Sequence, residues 1–189
     1  MNNIVKFGLS NVNIFPITSV TEGVITYGTG FVLPGAVDLA LNATGSETPF
    51  RADNITYYLA KSNDGYSGSL EIAKIIEAFE TQILGMQKDT KNVMVEAADD
   101  ISTEFGMTFQ IEGDTSGTKL CFYRCNASRP GINAKTQEET IVPDTDVFDL
   151  RVMPRYKDKY IRAKCESGSS AYTTFEKSIY EPTFTPAGG

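Results

Sequence analysis

Histidine is absent from all 189 residues, and tryptophan is absent with it. Without an imidazole the chain lacks the usual general base, the commonest transition-metal ligand and the side chain that changes charge near neutral pH. A Ser-His-Asp or Cys-His catalytic arrangement is therefore excluded. Enzymatic chemistry would have to run on carboxylates or lysine, and no motif marks it out. Cysteine is scarce: Cys121, Cys125 and Cys165 make an odd number. Residues 1–12 carry one Lys and no apolar run, so no secretory leader and no disulfide framework are expected. Cys121 and Cys125, four apart, fall on one face of a regular strand at roughly 13 Å, too far for a disulfide. All three thiols read as small buried side chains. No apolar run approaches the ~18 residues of a membrane-crossing helix. Bases are outnumbered, 17 against 24 acids, for a net charge of −7, which disfavours wrapping a nucleic acid.

What is there is mostly period-two alternation, in a chain long enough to bury one core. Phe105, Met107, Phe109 and Ile111 alternate with the small or polar Gly106, Thr108, Gln110 and Glu112, the pattern of a half-buried strand. Residues 113–117 form a turn, and residues 120–125 return as the partner strand. Phe148, Leu150 and Val152 begin a second pair, with Lys157-Asp158-Lys159 as its turn and Ile161, Ala163 and Cys165 on the returning strand. Residues 172–179 read as a last strand. Shorter candidates fall at 4–9, 12–17, 24–32, 37–41 and 68–72. One segment departs from this period: Ile72, Ile76, Phe79 and Ile83 stand at helical spacing, and Gly85 sits at a C-terminal cap position. The spacing predicts a short helix over about 75–84. The whole predicts a mainly β domain over 1–189, an antiparallel sandwich or barrel flanked by one helix, with a C-terminal extension over 166–189.

Residues 42–65 begin with a polar, turn-like run and then present Phe50, Ile55, Tyr57, Tyr58 and Leu59. A structureless loop of that length is uncommon inside a compact domain, so this stretch is expected to be a projecting hairpin or arm. Its aromatics suit a protein contact, as core residues of an ordinary strand also would. Charge is segregated: residues 96–114 hold six acids and no base, 138–149 hold five more acids, and 151–164 hold six bases against Asp158. Such patches either meet between copies of the chain or neutralise each other within one. Gly28-Thr29-Gly30 with Gly35 fits neither a dinucleotide nor a Walker loop and reads as glycines at strand bends. Asp144, Asp146 and Asp149 lack the glycine and glutamate of a calcium loop and read as a solvated acidic edge. The glycosylation patterns at Asn42, Asn54 and Asn126 are read as chance matches.

Several stretches resemble one family, the major tail proteins of long, non-contractile-tailed phages of Gram-positive bacteria. They are Phe7-Gly8-Leu9-Ser10-Asn11-Val12, Tyr27-Gly28-Thr29, Leu33-Pro34-Gly35-Ala36, Pro49-Phe50-Arg51-Ala52-Asp53-Asn54, Asn63-Asp64-Gly65-Tyr66-Ser67-Gly68, Phe79 with Leu84-Gly85, and Asn126-Ala127-Ser128-Arg129-Pro130. The resemblance runs over residues 4 to 153; from Arg155 onward the chain departs from it. It implies a tail-tube fold, six-membered rings that stack into a tube, and partners in the tape-measure, tail terminator and tail-tip proteins. It further implies assembly in the host cytoplasm into the virion and passage of double-stranded DNA without specific binding, while the residues themselves lead to the expectation of no membrane, no cofactor and no metal. Phe50, Arg51, Tyr57, Tyr58, Arg162 and Lys164 are then expected at subunit joints. Glu71, Glu112, Glu138 and Glu139 are expected to give the lumen an acidic lining. A β-sandwich binding module, for instance for carbohydrate, is the alternative, although such modules usually display exposed tryptophan and this chain has none. A small enzyme using carboxylates alone comes third.

Overall fold

The structure, a computed structural model, describes residues 8–52, 54–113, 116–132 and 144–184. Along the chain run β1 (Leu9–Thr21), β2 (Val24–Tyr27), β3 (Phe31–Val32), β4 (Ala36–Thr44), β5 (Glu47–Ala52), β6 (Ile55–Lys61) and β7 (Gly65–Ile72). The helix α1 (Glu77–Gln82) follows, and then β8 (Gln87–Lys88), β9 (Met94–Val95), β10 (Phe105–Ile111), β11 (Lys119–Ala127), β12 (Asp146–Val152) and β13 (Arg162–Cys165). The fold is mainly β with one short helix, and every strand pair among the described residues is antiparallel.

The main sheet runs β2-β1-β10-β11-β12-β7-β4, with β3 on β1 and β13 on β11. β4 comes back to within 8 Å (Cα–Cα) of β1, so the sheet curls around its core. Inward-facing rows follow the register: Leu39, Leu70 and Phe148 lie side by side on β4, β7 and β12, as do Leu41, Gly68 and Leu150. The helix closes this core. At six residues it is too short to be stable alone and holds its place through Phe79, whose fully buried ring lies 5.1 Å from that of Phe148 and 6.0 Å from that of Phe105. Asp146 accepts a hydrogen bond from the Ile75 N–H just ahead of it. Gly85 ends it at φ +82, a conformation that favours glycine, and the Met86 N–H reaches back to the Glu80 carbonyl. The helix is thus shorter than the predicted 75–84, because Ile75, Ile83 and Leu84 pack as buried flanking residues outside it.

Four expectations need correction. β13 does not pair with β12: both lie along the same edge of β11, β12 on Cys125–Ala127 and β13 on Lys119–Phe122, end to end. Residues 172–179 form no strand but a run of turns, with N–H groups of Tyr172, Thr174 and Lys177 bonding to carbonyls three residues back. Cys121 and Cys125 do not share a face. A bulge between them pairs Phe105 with Cys125 but Met107 with Phe122, so three residues of β11 span two of β10 and the alternation slips by one. Cys121 therefore joins a second buried cluster with Phe15, Tyr123, Cys165, Phe175 and Ile179, while Cys125 lies in the main core. Finally, β10 is not half-buried: Gly106 and Thr108 on its outer face are buried too, under the C-terminal segment.

Candidate functional site

β5 and β6 pair only with each other, yet they continue β4 and β7. The result is one long ribbon whose root lies in the main sheet and whose far half projects. Hydrogen bonds stitch the crossing point: the Ser46 N–H donates to Ser62 Oγ (2.8 Å), the Ser62 N–H to the Ser46 carbonyl (2.9 Å), and the Asp64 N–H to the Thr44 carbonyl (2.9 Å). The projecting part is therefore shorter than the expected 42–65, since residues 42–44 still pair with β7 and Gly65 begins it. Phe50 stands directly opposite Tyr58, and a bulge follows at Arg51, which is exposed. Exposure is high for Phe50 (61%), Ile55 (63%), Tyr57 (74%) and Tyr58 (64%). By strand alternation Tyr58 and Phe50 share one face, Tyr57 and Leu59 the other, so both faces are apolar and neither is covered. The exposed Glu47–Lys61 ion pair, 2.7 Å, adds little. A two-stranded hairpin is marginal in water by itself, and a contiguous exposed apolar patch marks a contact surface.

Arg162 and Lys164 sit apart from the hairpin tip, on β13. Both are exposed; the Arg162 guanidinium lies 5.6 Å from the ring of Tyr66, the second residue of β7, at the ribbon's root. Lys164 is ion-paired with its neighbour Glu166. The six residues expected at a joint thus fall into two groups, which the structure does not bring together. Nor are all the basic residues of 151–164 free. Arg155 is buried against Asp158 and Glu181 and stacks over Tyr123 at 4.5 Å. Burial disfavours its charge, but the hydrogen bonds to Asp158 and Glu181 outweigh that and hold its pKa above the ordinary value. Part of the acidic run is likewise neutralised within the chain: Glu104 takes two bonds from Arg124 (2.8 and 2.7 Å), and Glu96 pairs with Arg129 at 2.7 Å. Among the described residues, Arg151, Lys157, Lys159 and Arg162 form no ion pair.

Of the carboxylates expected in a lumen, Glu71 lies half-buried on the outward face of β7, between Asp38 and Val147, and accepts a hydrogen bond from Thr145 Oγ1. Glu112 follows β10 and is exposed, its N–H bonded to the Gly8 carbonyl (2.9 Å). The register keeps these two apart, and Glu138 and Glu139 lie outside the described residues.

An open groove with a volume of about 820 Å³ runs between the glycine run and the C-terminal segment, lined among others by Phe15, Tyr27, Gly28, Gly30, Phe31 and Ile179. The Gly28 N–H is bonded to the Pro16 carbonyl (2.7 Å) and is not available to cradle an anion. A side chain at Gly30 would strike the Phe15 ring, which accounts for that glycine by close approach. Among the described residues no three His, Cys, Asp or Glu side chains gather to hold a metal ion. Burial pushes the Cys121 thiol up to about 12 and the Cys125 thiol well above its ordinary value, so neither is a nucleophile at neutral pH. Sequence reasoning missed Arg155, Lys119 and Glu181, since nothing in their spacing links them. Tyr172, Phe175 and Ile179, at helical rather than strand intervals, were the available signal for the C-terminal turns. Compared with known proteins, the chain matches no family model and no curated protein. No helix among the described residues is long and apolar enough to cross a membrane.

Proposed function

We propose that this chain is a structural subunit that assembles with copies of itself, a tail-tube protein of the phage family its sequence resembles, and that it is not an enzyme. The observation that carries this reading is the projecting β5–β6 hairpin. A hairpin with Phe50, Tyr57 and Tyr58 exposed on its two faces gains stability only when another surface covers it. A second copy supplies such a surface in every preparation of the protein, and a head-to-tail contact repeated by rotation closes into a ring. On this reading the hairpin reaches across a joint, the unpaired bases Lys157, Lys159 and Arg162 lie at a joint or on the outer wall, and Glu71 and Glu112 contribute to an acidic lumen. With −7 per chain, such a lumen repels DNA, which carries a negative charge every ~1.7 Å of duplex axis, and lets it pass without being held. Tape-measure, terminator and tail-tip proteins are the partners, and the virion tail is the destination.

Electron microscopy with sedimentation velocity on the concentrated, purified full-length chain tests this. Rings or tubes of uniform diameter are expected. Monodisperse monomer across the whole accessible concentration range overturns the reading and favours a β-sandwich binding module.

A further inference from the structure

The outer face of β10, β11 and β13 is covered by residues 169–184, and this cover is attached differently from everything else in the sheet. It contributes no strand: the N–H groups of Ser169, Tyr172, Thr174 and Lys177 bond to carbonyls three residues back. An apolar pair, two buried cations, the Thr108 hydroxyl, a backbone hydrogen bond from Tyr180 to Cys121 and a ring contact between Tyr160 and Phe184 (6.0 Å) fasten it. Phe175 and Ile179 lie against Phe15, Cys121, Tyr123 and Cys165 in the second cluster, separate from the main core. At one end the Lys119 side chain, 7% exposed, donates to the Tyr172 carbonyl (3.1 Å), lies 4.1 Å from the Tyr172 ring centroid and pairs with Glu176 at 3.1 Å. At the other end Arg155, with 10% of its side chain exposed, bonds both oxygens of Glu181 (2.6 and 2.8 Å). Between them Thr108 Oγ1 donates to the Glu176 carbonyl (3.3 Å). The connection to β13 is Glu166-Ser167-Gly168-Ser169-Ser170, exposed throughout, with open space around Gly168.

We propose that residues 169–184 form a strap that lifts from the sheet as one unit, hinged at 166–168 and latched by Lys119 and Arg155. Local opening of this kind costs less than global unfolding where a segment has few ladder hydrogen bonds and its own small cluster. Lifting leaves the nine-stranded sheet intact and exposes an apolar patch on its outer face, while the strap shows Phe175 and Ile179.

Three free cysteines report on this directly. Cys121 and Cys165 lie under the strap, and Cys125 faces the main core on the other side of the sheet. Trypsin separates them, because Lys119, Arg124 and Lys164 precede the three peptides. The experiment is pulsed alkylation with N-ethylmaleimide under native conditions on the full chain, read by peptide mass spectrometry. Labelling then tracks the population of each open state. Cys121 and Cys165 should react together and at least tenfold faster than Cys125. Glu181→Gln, at an exposed position, should raise their common rate about fivefold, and Lys119→Met about tenfold or more, with both thiols staying at least tenfold ahead of Cys125, since global unfolding breaks the same contacts. One rate for all three thiols, in the wild type or after either substitution, would mean that only global unfolding occurs and overturns the proposal. Unequal rates for Cys121 and Cys165 overturn the claim that the strap moves as a unit.

Discussion

Replacing Tyr57 and Tyr58 by serine separates folding from assembly. The two side chains sit on opposite faces of the hairpin, 74% and 64% exposed, and no other strand covers them. The monomer therefore loses almost nothing, and its melting temperature should fall by less than about 2 °C, the range of ordinary surface substitutions. Assembly is different. A tyrosine offers at least ~150 Å² for burial, so at these exposures the pair has about 200 Å² left to cover, or ~5 kcal/mol at about 25 cal/mol/Å². Half of that survives the cost of ordering side chains at an interface, which raises the concentration needed for assembly by on the order of 50-fold. Sedimentation velocity across a concentration series measures the shift, with thermal unfolding of the same samples as the control. Loss of folding would place these tyrosines in a core. Unchanged assembly with intact folding would remove the hairpin from the interface.

Phe79→Ala removes the ring that ties the helix to β10 and β12 and should cost about 3–5 kcal/mol, seen as a lower urea midpoint; a cost below about 1 kcal/mol would show that the helix does not close the core. Reversing charge at Arg162 and Lys164 should weaken assembly, more at low salt than at high, and assembly equal to wild type at every salt concentration would mean these charges serve only contacts within the chain. Asp158 has its pKa held below the usual carboxylate value by the hydrogen bond from Arg155. It therefore contributes stability that is present above the unfolded-state value of about 4 and is lost as pH falls through the folded value. Asp158→Asn should be less stable than wild type at pH 7 and should lose less stability in acid; parallel curves of melting temperature against pH would refute the assignment.

The fold class was legible because alternation and helical spacing are local signals. Phe148, Leu150 and Val152 lie on the inner face as their spacing requires, and Gly85 ends the helix with the positive φ expected of it. The hairpin was legible from length instead: a structureless stretch as long as 42–65 is uncommon inside a compact domain, and its strands run over Glu47–Ala52 and Ile55–Lys61. What failed was pairing. The segments around β12 and β13 alternate correctly and are joined by a turn, so they read as partners, but nothing in a strand's own residues says which neighbour it takes. Both were claimed by β11, which offers one edge long enough for the two. Arg155 was unreadable on the same grounds, since its partner Glu181 is 26 residues away. Charge counts along the chain placed it in a basic patch, whereas the fold turned it inward and left Lys157 and Lys159 outside.

In β10 alternation has a meaning other than exposure to water. Gly106 and Thr108 alternate with large apolar residues, and a small or polar residue in that position ordinarily faces water. Here they face the strap. A Cβ at Gly106 would stand 2.5 Å from Ile179 Cδ1, and the Thr108 hydroxyl bonds to the Glu176 carbonyl. Their small size is a packing requirement, set by a segment about 70 residues further along, as the Thr108–Glu176 separation of 68 shows. Period two therefore distinguishes the two faces of a strand without saying what lies against either, and smallness on the second face is compatible with solvent or with close cover. The deciding signal lay in the covering segment itself: Tyr172, Phe175 and Ile179 stand at intervals of three and four, which period two does not place on one face, and apolar residues that belong to no strand need a sheet face to bury them. Read together, the small residues of β10 and those unpartnered apolar residues imply each other, which is why removing the strap uncovers a face built for contact and not for water.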